Sequence, residues 1–151
     1  MRRIILSPFS RPLRNGKPNP KNYPHWDALI DKLHADGHYL IQVGSTGEPR
    51  LAVDEIQTDL SLDQLKTLLE SCNLWISVDN FFNHFATYHH KKGIVLWGQS
   101  DPSIFGYSVN ANLLKSKMYL RQEQFQIWEA ITCNDAAFVS PNRVITEVNK
   151  F

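Results

Sequence analysis

The chain of 151 residues has two cysteines, almost no net charge and no long hydrophobic run. Cys72 and Cys133 lie far apart without a partner motif, which argues against a disulfide framework or a cysteine metal site. Sixteen basic and fifteen acidic residues give a formal charge of +1, so bulk electrostatics does not favour general nucleic-acid or anionic-membrane binding. No stretch approaches the roughly 18 apolar residues that cross a bilayer, and Pro8 ends the first apolar run too early for a signal peptide. We therefore expect a cytoplasmic protein with no membrane span.

Two common binding motifs are also missing. The turn at residues 44–49 lacks the G-x-G-x-x-G order, so it is not the dinucleotide fingerprint. The three histidines at residues 84–90 form no H-x-x-x-H set and have no cysteine partners, so we predict no metal site.

What the chain does contain is an alternation of apolar strands and amphipathic helices. Its length and 42% hydrophobic content suit one globular domain over residues 1–151. The patterns predict strands at residues 3–7, 38–43, 74–78 and 93–97, and helices at 23–36, 62–71, 80–90, 122–132 and 141–149. Residues 10–22, with three prolines and one glycine, must form a loop.

This alternation predicts an α/β fold with a Rossmann-like, doubly wound parallel sheet. Nearly continuous apolar strands indicate parallel strands that helices cover on both faces. Each predicted strand ends in a turn rich in Gly, Ser, Asp, Asn or Pro: SPFSRP, GSTGEP, DNFFNH and GQSDPS. In such sheets ligands bind outside the carboxyl ends of the strands, so we expect the four turns to share one rim.

The first two turns have both a structural and a ligand-binding interpretation. Ser10 and Lys17, in the loop after the first strand, suit a phosphate through a hydroxyl and a charge-assisted bond, but on local evidence a solvated basic loop explains them better. Glu48, in the second turn, suits the two hydroxyls of a ribose, or it is an exposed turn glutamate.

The third turn, within "WISVDNFFNHFATYHH", carries the strongest candidate. Asp79 or Asn80 can cap the helix that follows. The first-turn amides of that helix would also present the positive end of its dipole to a diphosphate at the rim. His84, about one turn into the helix, is either a phosphate ligand or a half-buried side chain.

Taken together, the motifs resemble those of a known family. The run "LDQLKTLLESCNLWISVDNFFNHFATYHHKKGIVLWGQSDPSIFGY" is similar to the heptosyltransferase-like glycosyltransferases of family nine, in the C-terminal, donor-binding half of their GT-B fold. In that family a D-[ST]-G-x-x-H-x-A motif precedes a strand ending in W-G or F-G and a D-P turn. The residues that keep this spacing are Asp79, His84, Ala86, Gly98, Asp101 and Pro102.

The resemblance implies a site for a nucleotide-diphosphate sugar as donor substrate, with no metal and no separate cofactor. The sequence has no D-x-D acidic pair, which agrees with metal independence. The implied donor-site residues are Ser10, Lys17, Glu48, Asp79, Asn80, Phe81, Phe82 and His84. Lys17 would correspond to the family's loop lysine near the phosphates, and Glu48 would accept the ribose hydroxyls. The loop and helix start from Asp79 to His84 would receive the diphosphate.

Two departures from the family pattern leave the activity open. Phe81 stands where the family has the glycine of D-[ST]-G, so it either hinders a close approach of phosphate or stacks on a ligand. The half of the GT-B fold that supplies the acceptor site, and usually the catalytic base, is not represented, so no catalytic residue is assigned. Three hypotheses follow: a glycosyltransferase completed by a partner chain or homodimer mate, a non-catalytic nucleotide-sugar module, and a structural or interaction domain with a degenerate site.

Overall fold

The computed structural model describes residues 1–151 as one parallel sheet between two layers of helices. The strands are β1 (Arg3–Ser7), β2 (Tyr39–Gly44), β3 (Glu55–Thr58), β4 (Leu74–Val78), β5 (Ile94–Trp97) and β6 (Ala111–Leu114). The helices are α1 (Trp26–Ala35), α2 (Leu62–Ser71), α3 (Phe81–Tyr88), α4 (Pro102–Phe105) and α5 (Pro141–Val148). All five strand pairings are parallel, in the order β3-β2-β1-β4-β5-β6.

The alternation of side chains along the strands divides the core into two apolar clusters. Ile4 and Leu6 of β1 face the layer of α1 and α5, whereas Ile5 faces the layer of α2 and α3. The central strand β4 is buried at every position, with Leu74 and Ile76 on the first face and Trp75 on the second. This two-sided burial is why the strands are apolar throughout, and it confirms the predicted doubly wound α/β fold.

Four of the five helices begin after a residue whose side chain accepts a hydrogen bond from a free amide of the first turn, and α1 is the exception. Ser61 and Gln64 form a capping box at the start of α2, Asn80 caps α3, and Ser140 caps α5. The predicted helices at residues 62–71, 80–90 and 141–149 are therefore present with small differences at their ends. The helix predicted from residue 23 begins only at Trp26.

The predicted helix at residues 122–132 is wrong. Only a single 3-10 turn, Trp128–Ala130, occurs there. The side chains of Arg121 and Gln124 bind nearby backbone carbonyls, including those of Arg121, Gln124 and Gln126. These side-chain bonds take the place of helical backbone bonds, and two apolar side chains of the segment, Phe125 and Ile127, are exposed rather than packed on the core.

Two short strands were not predicted, because both lie at edges of the sheet. The residues of β3 and most of those of β6 are only partly buried. Edge strands need no continuous apolar sequence, since one side of the ladder has no neighbour.

At Gly93, just before β5, the second face of the core leaves no room for a side chain. A Cβ there would collide with the indole of Trp75, which is fully buried and donates from Nε1 to Lys91 O at 2.9 Å. We expect Gly93→Ala to lower the free energy of unfolding by about 1–3 kcal/mol through overpacking, as measured by urea denaturation. Ser108→Ala, at an exposed position, should stay within about 0.5 kcal/mol of the wild type. Equal stability of the two variants would contradict the packing described.

Candidate functional site

A cleft of about 1210 Å³ opens at the carboxyl ends of β1, β2 and β4. The sheet order reverses between β1 and β4, and ligands of doubly wound sheets bind at such a switch point. All the residues that the sequence predicted for the site line this one cleft: Ser10, Lys17, Glu48, Asp79, Asn80, Phe81, Phe82 and His84. The fourth predicted turn, at residues 98–106, does not contribute to it.

The floor of the cleft is a network that joins the ends of β1 and β4. Asn80 Nδ2 donates to Ser7 O at 3.2 Å, to Ser7 Oγ at 2.9 Å and to Phe9 O at 3.2 Å. Its Oδ1 accepts from Phe82 N at 3.0 Å and caps α3. Ser10 Oγ donates to Asp79 O at 2.7 Å. Ser10 and Asn80 therefore shape the cleft through bonds within the protein, and the first turn of α3 opens onto it.

Asp79 is paired with a lysine that the sequence interpretation did not select. Its Oδ2 lies 3.2 Å from Nζ of Lys21, and the residue is 8% exposed. Lys17 is exposed, and its ammonium forms no ion pair. Both lysines line the cleft. The sequence could not indicate this ion pair, because Lys21 and Asp79 are 58 positions apart and meet only in the folded loop.

Glu48 is held with one carboxylate oxygen free. Oε1 accepts from Ser45 N at 3.1 Å, whereas Oε2 is buried without a hydrogen-bond partner. Burial raises the pKa of Glu48; the Ser45 amide opposes this shift and the charge of Asp59 adds to it. The carboxylate folds over Gly44, where any Cβ would collide with Oε2. Glu48 is thus ready to accept a hydrogen bond from a donor outside the protein.

Asp59, the residue directly after β3, holds the turn that carries Glu48 by hydrogen bonds. Asp59 has a left-handed backbone with φ 55° and accepts from Thr46 N at 3.2 Å and from Thr46 Oγ1. Its own N–H donates to Gly44 O at 2.9 Å. The unpredicted edge strand β3 therefore fixes the position of the predicted Glu48 turn.

The three remaining predicted residues differ in burial. Phe82 is buried and packs edge-on against Trp75, with ring centroids 5.7 Å apart. Phe81 is 61% exposed and packs on Phe85 at 5.8 Å, so it is an aromatic rim to the cleft. His84 is exposed, and its Nδ1 lies 2.7 Å from the hydroxyl of Tyr107, a partner that the sequence did not indicate.

No group of three or more His, Cys, Asp or Glu side chains is placed to hold a metal ion. None of the helices combines the length and the apolar character that crossing a bilayer requires.

The fold defines a Rossmann-like, doubly wound α/β protein with a cleft at its switch point, and comparison with known proteins identifies the family. The model of glycosyltransferase family 9 (heptosyltransferase) matches residues 14–130. The chain therefore belongs to glycosyltransferase family 9. No curated protein sequence matches it.

Solved heptosyltransferases have the same fold. Heptosyltransferase II of E. coli, an ADP-heptose enzyme of lipopolysaccharide, aligns over 99% of this chain with a TM-score of 0.68 and 18% identity. E. coli WaaC with ADP-2-deoxy-2-fluoro heptose aligns over 99% with a TM-score of 0.65 and 19% identity. Dodecameric TibC in complex with ADP-D-beta-D-heptose aligns over 93% with a TM-score of 0.60 and 12% identity. The chain spans only 46%, 42% and 36% of these proteins, respectively, as expected for half of a two-domain fold.

Substitutions can separate the two roles of the Asn80 side chain, which caps α3 and bridges to the end of β1. We expect Asn80→Ser to keep the cap of α3 but to lose the donors to Ser7 and Phe9, lowering the free energy of unfolding by about 1–3 kcal/mol. Asn80→Ala should cost about 1 kcal/mol more, because it also removes the cap. Urea denaturation measures both. An Asn80→Ser protein as stable as the wild type would contradict a bridging role.

The raised pKa of Glu48 predicts a pH-dependent stability. Between the ordinary pKa of 4.5 and the raised value, the folded protein binds more protons than the unfolded chain, so this group makes stability fall as pH rises. Glu48→Gln keeps an acceptor for Ser45 N and does not titrate. The stability of the variant relative to wild type should therefore increase with pH across this range and then level off. Urea denaturation between about pH 4 and pH 8 measures it; a difference that is constant with pH would contradict the assignment.

Proposed function

We propose that the cleft binds a nucleotide-diphosphate sugar and that the chain supplies the donor-binding half of a metal-independent glycosyltransferase. One observation carries the proposal: a single cleft at the switch point combines a helix N-terminus, lysine ammonium groups and a carboxylate with one unsatisfied oxygen. These groups complement the two polar parts of such a donor, its anionic diphosphate and its ribose diol.

In this proposal the diphosphate lies at the first turn of α3. The helix dipole attracts negative charge there. Lys21 also lines the cleft, and its ion pair with Asp79 holds its ammonium beside that turn. Lys17, which is exposed and forms no ion pair, adds a second positive charge at the rim. His84 is close enough to the helix start to donate to a phosphate oxygen from the ring nitrogen that Tyr107 does not contact.

The ribose lies against Glu48, whose Oε2 accepts from a ribose hydroxyl. This bond satisfies a buried oxygen that otherwise has no partner, and leaving such an oxygen unpaired costs about 1–3 kcal/mol. The likeness to WaaC solved with ADP-2-deoxy-2-fluoro heptose makes adenine nucleotides the first donors to test.

Transfer itself requires a general base and an acceptor site, and we propose that a partner chain or a homodimer mate contributes them. Asp79 is ion-paired with Lys21 and Asp59 accepts from Thr46, while the free Oε2 of Glu48 is assigned to the ribose in this proposal. His84 is engaged with Tyr107. This observation favours, as a second candidate, a module that binds the donor without transferring the sugar.

We expect one class among ADP-, UDP-, GDP- and CMP-sugars to raise the melting temperature of the intact protein, since a ligand that binds only the folded state stabilises it by mass action. Glu48→Ala and His84→Ala should each weaken the binding of that donor by about tenfold, the effect of losing one charge-assisted hydrogen bond. A thermal-shift titration and calorimetry measure the two effects.

Matched controls are available on the same chain. Glu123→Ala removes an exposed glutamate outside the cleft, and His90→Asn removes a histidine whose φ of 59° an asparagine tolerates. Both should bind like the wild type.

No response to any nucleotide would overturn donor binding and leave the hypothesis of an interaction domain. Binding of a donor without hydrolysis or transfer, in the presence of a partner chain, would favour the non-catalytic module.

A further inference from the structure

Residues 121–131, which follow β6 in the chain, are here called the strap. In space they connect the turn after β5 with the loop after β1. At one end, Arg121 N and Gln124 Nε2 both donate to Gln99 O at 3.0 Å, and Gln124 Oε1 accepts from Asp101 N at 2.8 Å. At the other end, Glu129 Oε1 accepts from Arg14 N at 3.3 Å. The strap therefore reaches the same loop that carries Lys21.

Trp128 of the strap brings two cations together. The guanidinium carbon of Arg121 lies 3.6 Å from the centroid of its ring, and Lys21 Nζ lies 5.6 Å from it. Both distances are within the range of cation–π attraction. The two like charges repel each other, and the attraction of both to the indole ring offsets part of that repulsion.

Only one carboxylate balances these two cations. Asp79 is ion-paired with Lys21 at 3.2 Å, and its charge also acts on Arg121. Burial lowers the pKa of Arg121, and the charge of Asp79 opposes that shift. The Nε of Arg121 is buried and has no hydrogen-bond partner. The cluster of Lys21, Arg121 and Asp79 thus keeps an excess of one positive charge beside the cleft.

We propose that Trp128 and Arg121 are positioning residues that hold Lys21 toward the diphosphate of the ligand. The inference rests on the proposed function and adds two residues to it. Trp128 fixes the place of the Lys21 ammonium, and Arg121 shares the charge of Asp79, so that Asp79 does not fully neutralise Lys21. An anionic ligand then supplies the counter-charge that the cluster lacks, since partly buried charge without a partner is unfavourable.

The test uses inorganic pyrophosphate, ADP and adenosine with the full chain and its Trp128→Leu, Trp128→Phe and Arg121→Gln variants, measured by calorimetry. We expect Trp128→Leu and Arg121→Gln to weaken pyrophosphate and ADP by about tenfold, a cation–π-sized effect, and to leave adenosine unchanged. Trp128→Phe retains an aromatic ring and should remain within about threefold of the wild type. Phe125→Leu alters an exposed ring of the same strap and should bind like the wild type.

The outcomes separate this inference from the proposed function. Wild-type affinities for pyrophosphate and ADP in both Trp128→Leu and Arg121→Gln would overturn the inference while donor binding stands. Equal losses for adenosine and pyrophosphate would also overturn it, because they would indicate a general collapse of the cleft; melting temperatures of the variants check for this. Binding of pyrophosphate but no nucleotide would overturn the proposed function alone. A wild-type protein that binds neither would overturn both.

Discussion

The bridge from Asn80 to the end of β1 is the contact on which the cleft depends. At the switch point, the chain leaves β1 and β4 in different directions, and nothing in the strand ladder holds the two turns together beyond it. Asn80 uses both ends of its amide there: the donors bind Ser7 and Phe9, and the acceptor caps α3. Ser10 adds a second bond, to Asp79 O. The orientation of the first turn of α3, and with it any anion site, follows from these bonds.

Defined contacts hold the charged side chains near this bridge. Asp79 is ion-paired with Lys21, and Glu48, in a turn that Asp59 binds through Thr46, keeps one oxygen without a partner. In the proposed function, a polar ligand satisfies the buried atoms that the protein leaves without a partner.

The errors of the sequence interpretation have definite physical causes. The helix expected at residues 122–132 was inferred from apolar spacing, but Arg121 and Gln124 satisfy the backbone carbonyls from outside a helical ladder. The edge strands β3 and β6 carry too little apolar sequence to be recognised. Lys21 lies in the same proline-rich basic loop as Lys17, and the sequence offered no reason to select it as well, because its distinguishing contact is with a residue 58 positions away.

By itself, the sequence determined the four inner strands, the two-sided burial that makes them parallel, and the set of polar turns that follow them. These features are local: they depend on apolar runs, caps and turn residues that act within a few positions. Only the tertiary structure decided that Glu48 has an unsatisfied oxygen, that Asp79 pairs with Lys21, and that Trp128 lies under two cations. Each of these depends on distance between segments far apart in the chain, and local pattern carries no information about such distances.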